Sequence, residues 1–279
     1  MKIIKTANKI AFELQNKKKI GFIPTMGCLH KGHVSLIKKS KKKKLLTVVS
    51  IFVNPLQFNN KKDFIKYPKT ISTDLKICKK NKVDFVYLPQ KKEIYPEKKI
   101  IIKNKIHFFK KYMEGKFRPG HFNGVATIVC KLFNLIQPDI AFFGKKDFQQ
   151  LFLIKALVKQ LNYPIEIVGI DTVRDHDGLA KSSRNNLLSL EDRKKAPQLF
   201  EQLNAMKEKV IQKTSSFKEI EAHALSVLNT SGWSVDYLSI RSAQSLENPV
   251  HDENQIVILG AATLGSVRLI DNIEFCIQD

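Results

Sequence analysis

The chain has 279 residues, 43% of them hydrophobic, which is enough to bury the core of one large or two ordinary domains. Its 48 basic and 26 acidic residues give a formal net charge of +22, and such a charge normally favours nucleic-acid binding. Only six of the basic residues are arginines, and the lysines are spread in short runs. We therefore expect a solvated basic surface and no dedicated nucleic-acid site. A basic nucleic-acid-binding protein remains the alternative to an enzyme.

Hydropathy and cysteine usage argue against a membrane-spanning protein, a secreted protein and a zinc-binding protein. The longest apolar stretch, residues 45–53, is interrupted by Thr47 and Ser50 and is much shorter than the roughly 20 residues that cross a bilayer. The N-terminus alternates apolar residues with lysines and lacks the apolar centre of a secretory signal. The four cysteines are scattered, without the paired spacing of a zinc site. We expect a cytoplasmic protein with no membrane segment.

The first two thirds of the chain alternate short β-rich runs with helical patterns. The predicted strands are residues 20–24, 45–52, 83–88, 140–143 and 165–169, and the predicted helices are residues 4–14, 33–43, 70–81, 125–136 and 148–161. This alternation predicts an α/β fold with a Rossmann-like, doubly wound parallel sheet.

The pattern changes after residue 189, where helices come first and strands follow. The predicted helices are residues 191–212 and 217–228, and the predicted strands are residues 235–240, 255–261 and 266–275. Helices followed by strands predict a smaller α+β C-terminal domain. With a linker near residues 175–178, the expected domains are residues 1–175 and 176–279.

The segment GFIPTMGCLHKGHVSLIKKS, residues 21–40, predicts a strand, a glycine-containing loop and a helix. His30 and His33 are spaced i, i+3 where the helix would begin, so both rings can project from its first turn. Free backbone N–H groups and the positive end of the helix dipole point the same way, and Gly32 allows close approach. The segment therefore favours a polyphosphate site, although a plain loop with solvated histidines stays open as an alternative.

Polar residues also follow the other predicted strands, and the carboxyl ends of parallel strands share one edge of the sheet. In chain order they are Asn54 and Gln57, then Gly144, Lys146, Asp147 and Gln150, then Arg174 and residues 181–185. Lys146, Arg184 and the two histidines suit phosphates, and Asp147 suits Mg²⁺. The alternatives are that Asp147 caps a helix, that Gln57 satisfies a turn, and that Ser182 and Ser183 are linker residues.

Five segments carry a resemblance to a known family. They are IPTMGCLHKGH, SIFVNPLQF, YPKT, RPGHFNGVATIVCKLFNLIQPDIAFFGKKDFQQ and DGLAKSSRN, in order over residues 20–190. They resemble the pantothenate synthetases, the pantoate:beta-alanine ligases, which belong to a nucleotidyltransferase superfamily with a His-x-Gly-His signature. The remaining alternative among enzymes is another adenylyl or cytidylyl transferase of the same fold.

The resemblance implies that pantoate and ATP, with Mg²⁺, form pantoyl adenylate, and that beta-alanine then displaces AMP. The ATP-binding residues that it implies are Met26, Gly27, Cys28, Leu29, His30, Lys31, Gly32, His33, Gly144, Lys145, Lys146, Asp147, Val173, Lys181, Ser182, Ser183 and Arg184. The catalytic residues among them are His33, His30, Lys146, Ser182, Ser183 and Arg184, and Asp147 is the metal ligand. Gln57 and Gln150 would hold pantoate, with beta-alanine near Gln57.

The resemblance further implies a homodimer whose C-terminal domain closes over the site. Three lysines depart from the family pattern: Lys31 and Lys145 stand where acidic residues are common, and Lys181 replaces an apolar residue. We expect the first two to be solvated, whereas Lys181 leaves the contacts to the nucleotide open. His121, in RPGHF, is interpreted as a loop histidine away from the phosphate site.

Overall fold

The computed structural model describes residues 1–59, 61–96, 101–102, 112–250 and 253–277. The chain divides into two compact units, Met1–Val173 and Arg174–Asp279. No helix in the described part of the chain is long and apolar enough to cross a membrane. The two units have different architectures. As the sequence predicts, the parallel sheet comes first along the chain and the smaller α+β part follows.

The first unit is built on a parallel sheet of six strands. The strands are β1 (Lys2–Ile4), β2 (Ile20–Thr25), β3 (Leu46–Ile51), β4 (Phe85–Tyr87), β5 (Ile140–Gly144) and β6 (Glu166–Ile170). Every pair is parallel, in the order β1-β4-β3-β2-β5-β6. The order reverses at β2 and β5, where an open α/β sheet forms its ligand crevice beyond the strand ends.

The helices of this unit pack around the sheet. They are α1 (Ala7–Leu14), α2 (Lys31–Lys42), α3 (Lys61–Lys66), α4 (Ile71–Lys80), α5 (Lys91–Ile94), α6 (Glu114–Phe117), α7 (His121–Ile136) and α8 (Phe148–Gln160), with 3-10 turns at Pro55–Gln57 and Lys145–Asp147. Phe22, Ile23, Val48, Val49 and Phe142 on the central strands have no exposed surface. This burial on both faces is typical of parallel strands covered by helices and explains their continuous apolar runs.

The start of the chain differs from its prediction. Residues 4–14 are predicted as one helix, but the chain forms β1 before α1 begins at Ala7. Strand β1 is three residues long, and its pairing partner among the described residues is β4, more than 80 residues later, with Lys2 opposite Phe85. A strand this short carries no periodic signal, so its partner decides its conformation.

The second unit contains three helices and three strands in its described residues. They are α9 (Leu190–Lys195), α10 (Gln198–Ile211) and α11 (Phe217–Thr230), followed by the antiparallel sheet β7 (Ser234–Ser242), β8 (Gln255–Leu264) and β9 (Val267–Cys276). The predicted helix 191–212 is therefore two helices, separated at Ala196 and Pro197, because proline lacks the N–H that a continuous helix needs. The fold class, a Rossmann-like sheet with a smaller α+β part, is confirmed.

Candidate active site

A buried carboxylate shapes the loop that follows β2. Gly27 and Cys28 both adopt the left-handed conformation, with φ of 87° and 51°. The backbone N–H groups of Cys28 and Leu29 donate to the carboxylate of Asp74 at 3.0 and 2.8 Å, and the hydroxyl of Thr70 donates to it as well. Asp74 is 1% exposed, so α4 fixes the loop from inside the protein.

Asp74 limits how this loop can contact a ligand. The N–H groups of Cys28 and Leu29 are already bound to Asp74, so these two residues would have to contact a nucleotide with other atoms. A Cβ on Gly27 would lie 3.1 Å from Asp74 Oδ2, which explains the glycine beyond its positive φ. Asp74 is not among the site residues that the sequence predicts.

The two histidines of the His-x-Gly-His segment cap the start of α2 with the same ring atom. Gly32 N–H donates to His30 Nδ1 at 3.1 Å, and His30 N–H donates to His33 Nδ1 at 3.2 Å. A backbone N–H is always a donor, so both Nδ1 atoms are acceptors and each neutral ring carries its proton on Nε2. The ring centroids are 4.1 Å apart. The helix start therefore holds two imidazole Nε2–H donors side by side.

His33 is neutral at physiological pH. Desolvation by the surrounding protein is the main cause that lowers the pKa of His33 to about 3, although part of the residue remains solvent-accessible. Repulsion from His30 in its protonated form and from the Lys146 ammonium contributes to the same shift. Strands β2 and β5 are parallel neighbours in the sheet, so the loops that carry the histidines and Lys146 follow the same edge. The site thus combines neutral donors with a lysine.

The turn after β5 exposes a carboxylate. Asp147 is exposed and occupies the N-cap position of α8, yet its side chain makes no capping hydrogen bond, so the interpretation of Asp147 as a helix cap is wrong. Lys145 Nζ lies 3.0 Å from Asp171 Oδ1, and Lys31 is exposed. The departure at Lys145 is therefore an ion pair, whereas Lys31 is solvated as expected. Gln150 lies half-buried in the first turn of α8.

His121 is not a loop histidine. It is the first residue of α7 and is 8% exposed, and burial is the main cause that lowers its pKa to about 3. Its Nδ1 lies 2.8 Å from the main-chain oxygen of Gln57, to which Arg118 Nη2 also donates at 3.2 Å. The earlier interpretation is wrong because α7 begins four residues before the predicted helix, directly against the Gln57 turn.

The second unit contains residues 181–184, and one of its arginines is not available to a ligand. Ser182 Oγ accepts a hydrogen bond from Arg184 N–H at 3.2 Å and caps the turn Ser183–Leu187. Arg174 is paired with the buried carboxylate of Asp271, at 2.5 and 2.9 Å. The guanidinium of Arg174 is therefore engaged within the second unit.

Lys181 Nζ is also engaged within the second unit. It forms an ion pair with Asp175, whose other carboxylate oxygen is 3.2 Å from Arg193 Nη2. Arg193 also binds Asp177, and this hydrogen bond lowers the pKa of the Asp177 carboxyl. The lysine that departs from the family pattern is thus neutralised by a local acidic partner.

Among the described residues, no group of three or more His, Cys, Asp or Glu side chains is placed to hold a metal ion. Asp147 offers a single exposed carboxylate. Mg²⁺ is commonly bound by one or two carboxylates together with substrate phosphates and water. The donors present therefore fit Mg²⁺ that arrives with a nucleotide and do not form a metal site complete in itself.

The first unit has a parallel sheet with a reversal of strand order, and the start of α2 bears two Nε2–H donors beside a lysine. These features are typical of Rossmann-like nucleotide-binding enzymes. The family described as pantoate-beta-alanine ligase matches residues 1–274. The chain belongs to the pantoate-beta-alanine ligase family. Both the resemblance in the sequence and the expected enzyme class are confirmed.

Individual relatives agree with this assignment over nearly the whole chain. A pantothenate synthetase of Neisseria meningitidis serogroup B is 45% identical, covering 98% of this chain and 99% of that protein. A crystal structure of pantothenate synthetase from Thermus thermophilus is similar with a TM-score of 0.92 at 37% identity, covering 98% and 99% of the two chains. A pantoate-beta-alanine ligase from Francisella tularensis, complexed with beta-gamma ATP and beta-alanine, has a TM-score of 0.78 at 35% identity, covering 98% and 97%.

Proposed function

We propose that the chain catalyses the ATP-dependent condensation of (R)-pantoate with beta-alanine to pantothenate. A pantoate carboxylate oxygen attacks the α-phosphorus of ATP, the bond to pyrophosphate breaks, and pantoyl adenylate forms. The amine of beta-alanine then attacks the acyl carbon, loses a proton, and displaces AMP. The observation that carries this proposal is the pair of Nε2–H imidazoles at the start of α2 beside Lys146.

In the first step, His30 and His33 donate from Nε2 to phosphate oxygens, and Lys146 balances the charge that develops there. The two imidazole rings are held in place before the reaction, because their Nδ1 atoms accept hydrogen bonds from the backbone. Residues 26–33 and 144–147 contact ATP, and Asp147 is the carboxylate that would hold Mg²⁺. Mg²⁺ supplies further charge neutralisation on the phosphates when it is bound.

Gln57 and Gln150 hold pantoate, and Gln57 also lies near beta-alanine. Gln57 is 7% exposed, and a neutral amide there positions the substrate without pairing its carboxylate with a cation. We infer that the carboxylate oxygen is therefore a better nucleophile than it would be if it were paired with a cation.

The second unit completes the proposed enzyme. We assign Val173, the last residue of the first unit, and residues 181–184 to the nucleotide, with Lys181 contributing atoms other than its paired ammonium group. Arg184, Ser182 and Ser183 act on the phosphates, and we assign the second unit the role of a lid. A lid would protect the acyl adenylate from water. We further propose that the protein is a homodimer, as the family resemblance implies, and that it acts in the cytoplasm.

Pyrophosphate exchange tests the proposed function directly. Labelled pyrophosphate should enter ATP when pantoate is present and beta-alanine is absent, because adenylation precedes amide formation. The measurement is the label recovered in ATP, with pantoate omitted as the control. Exchange that requires beta-alanine, or that proceeds without pantoate, would contradict the adenylate scheme.

Replacing Lys181 with methionine should leave catalysis nearly unchanged. The Lys181 ammonium is paired with Asp175, which keeps Arg193 as a partner after the change. We expect the ATP KM and kcat of Lys181→Met to stay within about twofold of the wild-type values, since a partly exposed ion pair contributes little free energy. A fall in kcat of about tenfold, at an unchanged ATP KM, would instead give Lys181 a role in stabilising the developing charge.

A further inference from the structure

Two backbone groups fix the orientation of the buried Asn54 side chain. Leu56 N–H lies 3.2 Å from one end of the amide, and a backbone N–H requires an acceptor, so this end is Oδ1. The carbonyl oxygen of Gly124 lies 3.0 Å from the other end and requires a donor, so that end is Nδ2. Asn54 has no exposed surface, and its oxygen and nitrogen are assigned by these neighbours alone.

The orientation of Asn54 determines that of Gln57. Asn54 Nδ2 has a second hydrogen, which points at the Gln57 side chain at 2.9 Å. The Gln57 atom that receives it must be Oε1, so the opposite end of the Gln57 amide is the NH₂ group. Among the described residues, no acceptor for Gln57 Nε2 is found. The donor end of Gln57 is thus left for a ligand.

Tyr95 holds Asn54 in this orientation. Its hydroxyl lies 2.8 Å from Asn54 Oδ1, and it must be the donor because Oδ1 carries no hydrogen. Burial raises the pKa of Tyr95, so the hydroxyl keeps its proton. Together with Leu56 N–H, the hydroxyl occupies both lone pairs of Oδ1, and the Tyr95 ring packs against Phe52 with centroids 6.2 Å apart. Asn54 therefore has no second orientation that keeps its partners.

The main chain of Gln57 is held as well. Its carbonyl oxygen is bound by His121 Nδ1 and Arg118 Nη2, so the turn Pro55–Gln57 cannot rotate to compensate for a reversed side chain. We propose that Tyr95, acting through Asn54, is a positioning residue that keeps the amide N–H₂ of Gln57 directed at the carboxylate or hydroxyl oxygens of pantoate. This inference rests on the proposed function. It adds that Gln57 selects a hydrogen-bond acceptor on the substrate.

A double-mutant cycle tests whether Tyr95 acts through Gln57. Tyr95→Phe removes only the hydroxyl and should raise the pantoate KM in pyrophosphate exchange about fivefold to tenfold, the scale of one lost hydrogen bond. The ATP KM should change less than about twofold. In the Gln57→Leu background, Tyr95→Phe should change the pantoate KM less than about twofold. Equal effects in both backgrounds would overturn the proposal.

Tyr163→Phe is the matched control. The Tyr163 hydroxyl also donates to an asparagine, Asn134 Oδ1 at 3.0 Å, but that pair lies on the surface and contacts none of the proposed site residues. It should leave both KM values unchanged. A rise in pantoate KM equal to that of Tyr95→Phe would show a general effect on folding and overturn the positioning role.

Side-chain amide NMR separates this inference from the proposed function. In ¹⁵N-labelled protein without substrate, Tyr95→Phe should shift the Gln57 Nε2 signals, assigned by their loss in Gln57→Leu, and Tyr163→Phe should not. Unchanged Gln57 signals in Tyr95→Phe would overturn the relay whatever the enzyme does. If wild-type protein shows no pantoate-dependent exchange while the signals shift, the relay stands and the proposed function falls.

Discussion

Replacing His33 with alanine should lower the rate of pantoate-dependent pyrophosphate exchange by at least about 100-fold, the scale of losing one preorganised charge-stabilising donor. The substitution removes the Nε2–H donor and also the Nδ1 acceptor that binds His30 N–H. His33→Gln, whose amide nitrogen extends about as far as Nε2, should retain more activity than His33→Asn, whose side chain extends only about as far as Nδ1. The measurement is the exchange rate of the three variants at saturating substrates.

The control for this prediction is His223→Ala, because His223 is exposed on α11 in the second unit. His121 cannot serve, since it is buried against Gln57. An equal loss in His223→Ala would point to an effect on folding. Equal activity in His33→Ala and the wild type would remove His33 from the proposed mechanism.

Gly124→Ala should damage pantoate binding more than its size implies. A Cβ on Gly124 would lie 2.2 Å from Leu56 O and 2.9 Å from Gln57 N, closer than real atoms approach. Helix α7 or the turn Pro55–Gln57 must therefore move, and a displacement of about 1 Å at a substrate-positioning residue can cost about 100-fold in kcat/KM. We expect a loss of roughly 10- to 100-fold in kcat/KM for pantoate.

Stability measurements separate strain from helix propensity in this variant. Alanine in a helix interior is ordinarily favoured over glycine by about 1 kcal/mol, so a lower unfolding free energy in Gly124→Ala would report the clash. Asn134→Ala, at an exposed position of the same helix, is the control and should not lower kcat/KM. A more stable Gly124→Ala with normal pantoate kinetics would show that the backbone contact is not needed.

The fold was largely predictable because its signals are local. The five predicted strands of the first unit and most helices are present within a few residues, since long apolar runs and 3.6-residue patterns lie within single segments. Strand β1 and the break at Pro197 were missed for different reasons. Strand β1 depends on a distant partner, whereas the proline lies inside a pattern that otherwise looks like one continuous helix.

The candidate site was predictable only in the residues that we propose to contact ligands. His30, His33 and Lys146 carry recognisable chemistry at strand ends, whereas Asp74 and Tyr95 resemble an ordinary helical aspartate and a core tyrosine. Their roles come from contacts across the fold. Asp74 binds an amide 46 residues earlier, and Tyr95 binds Asn54 at a separation of 41 residues. No local pattern encodes such pairs, so the sequence indicates the residues proposed to bind substrate but not the residues that support them.

The depressed proton affinity of His33 and His121 has a consequence for acid tolerance. Both histidines bind protons more weakly in the folded chain, with pKa values near 3, than in the unfolded chain, where the ordinary value is about 6.5. Between these values the unfolded state takes up more protons, so the free energy of unfolding falls as the pH drops below about 6.5. Acidification therefore favours unfolding through two imidazoles that lie in the candidate active site.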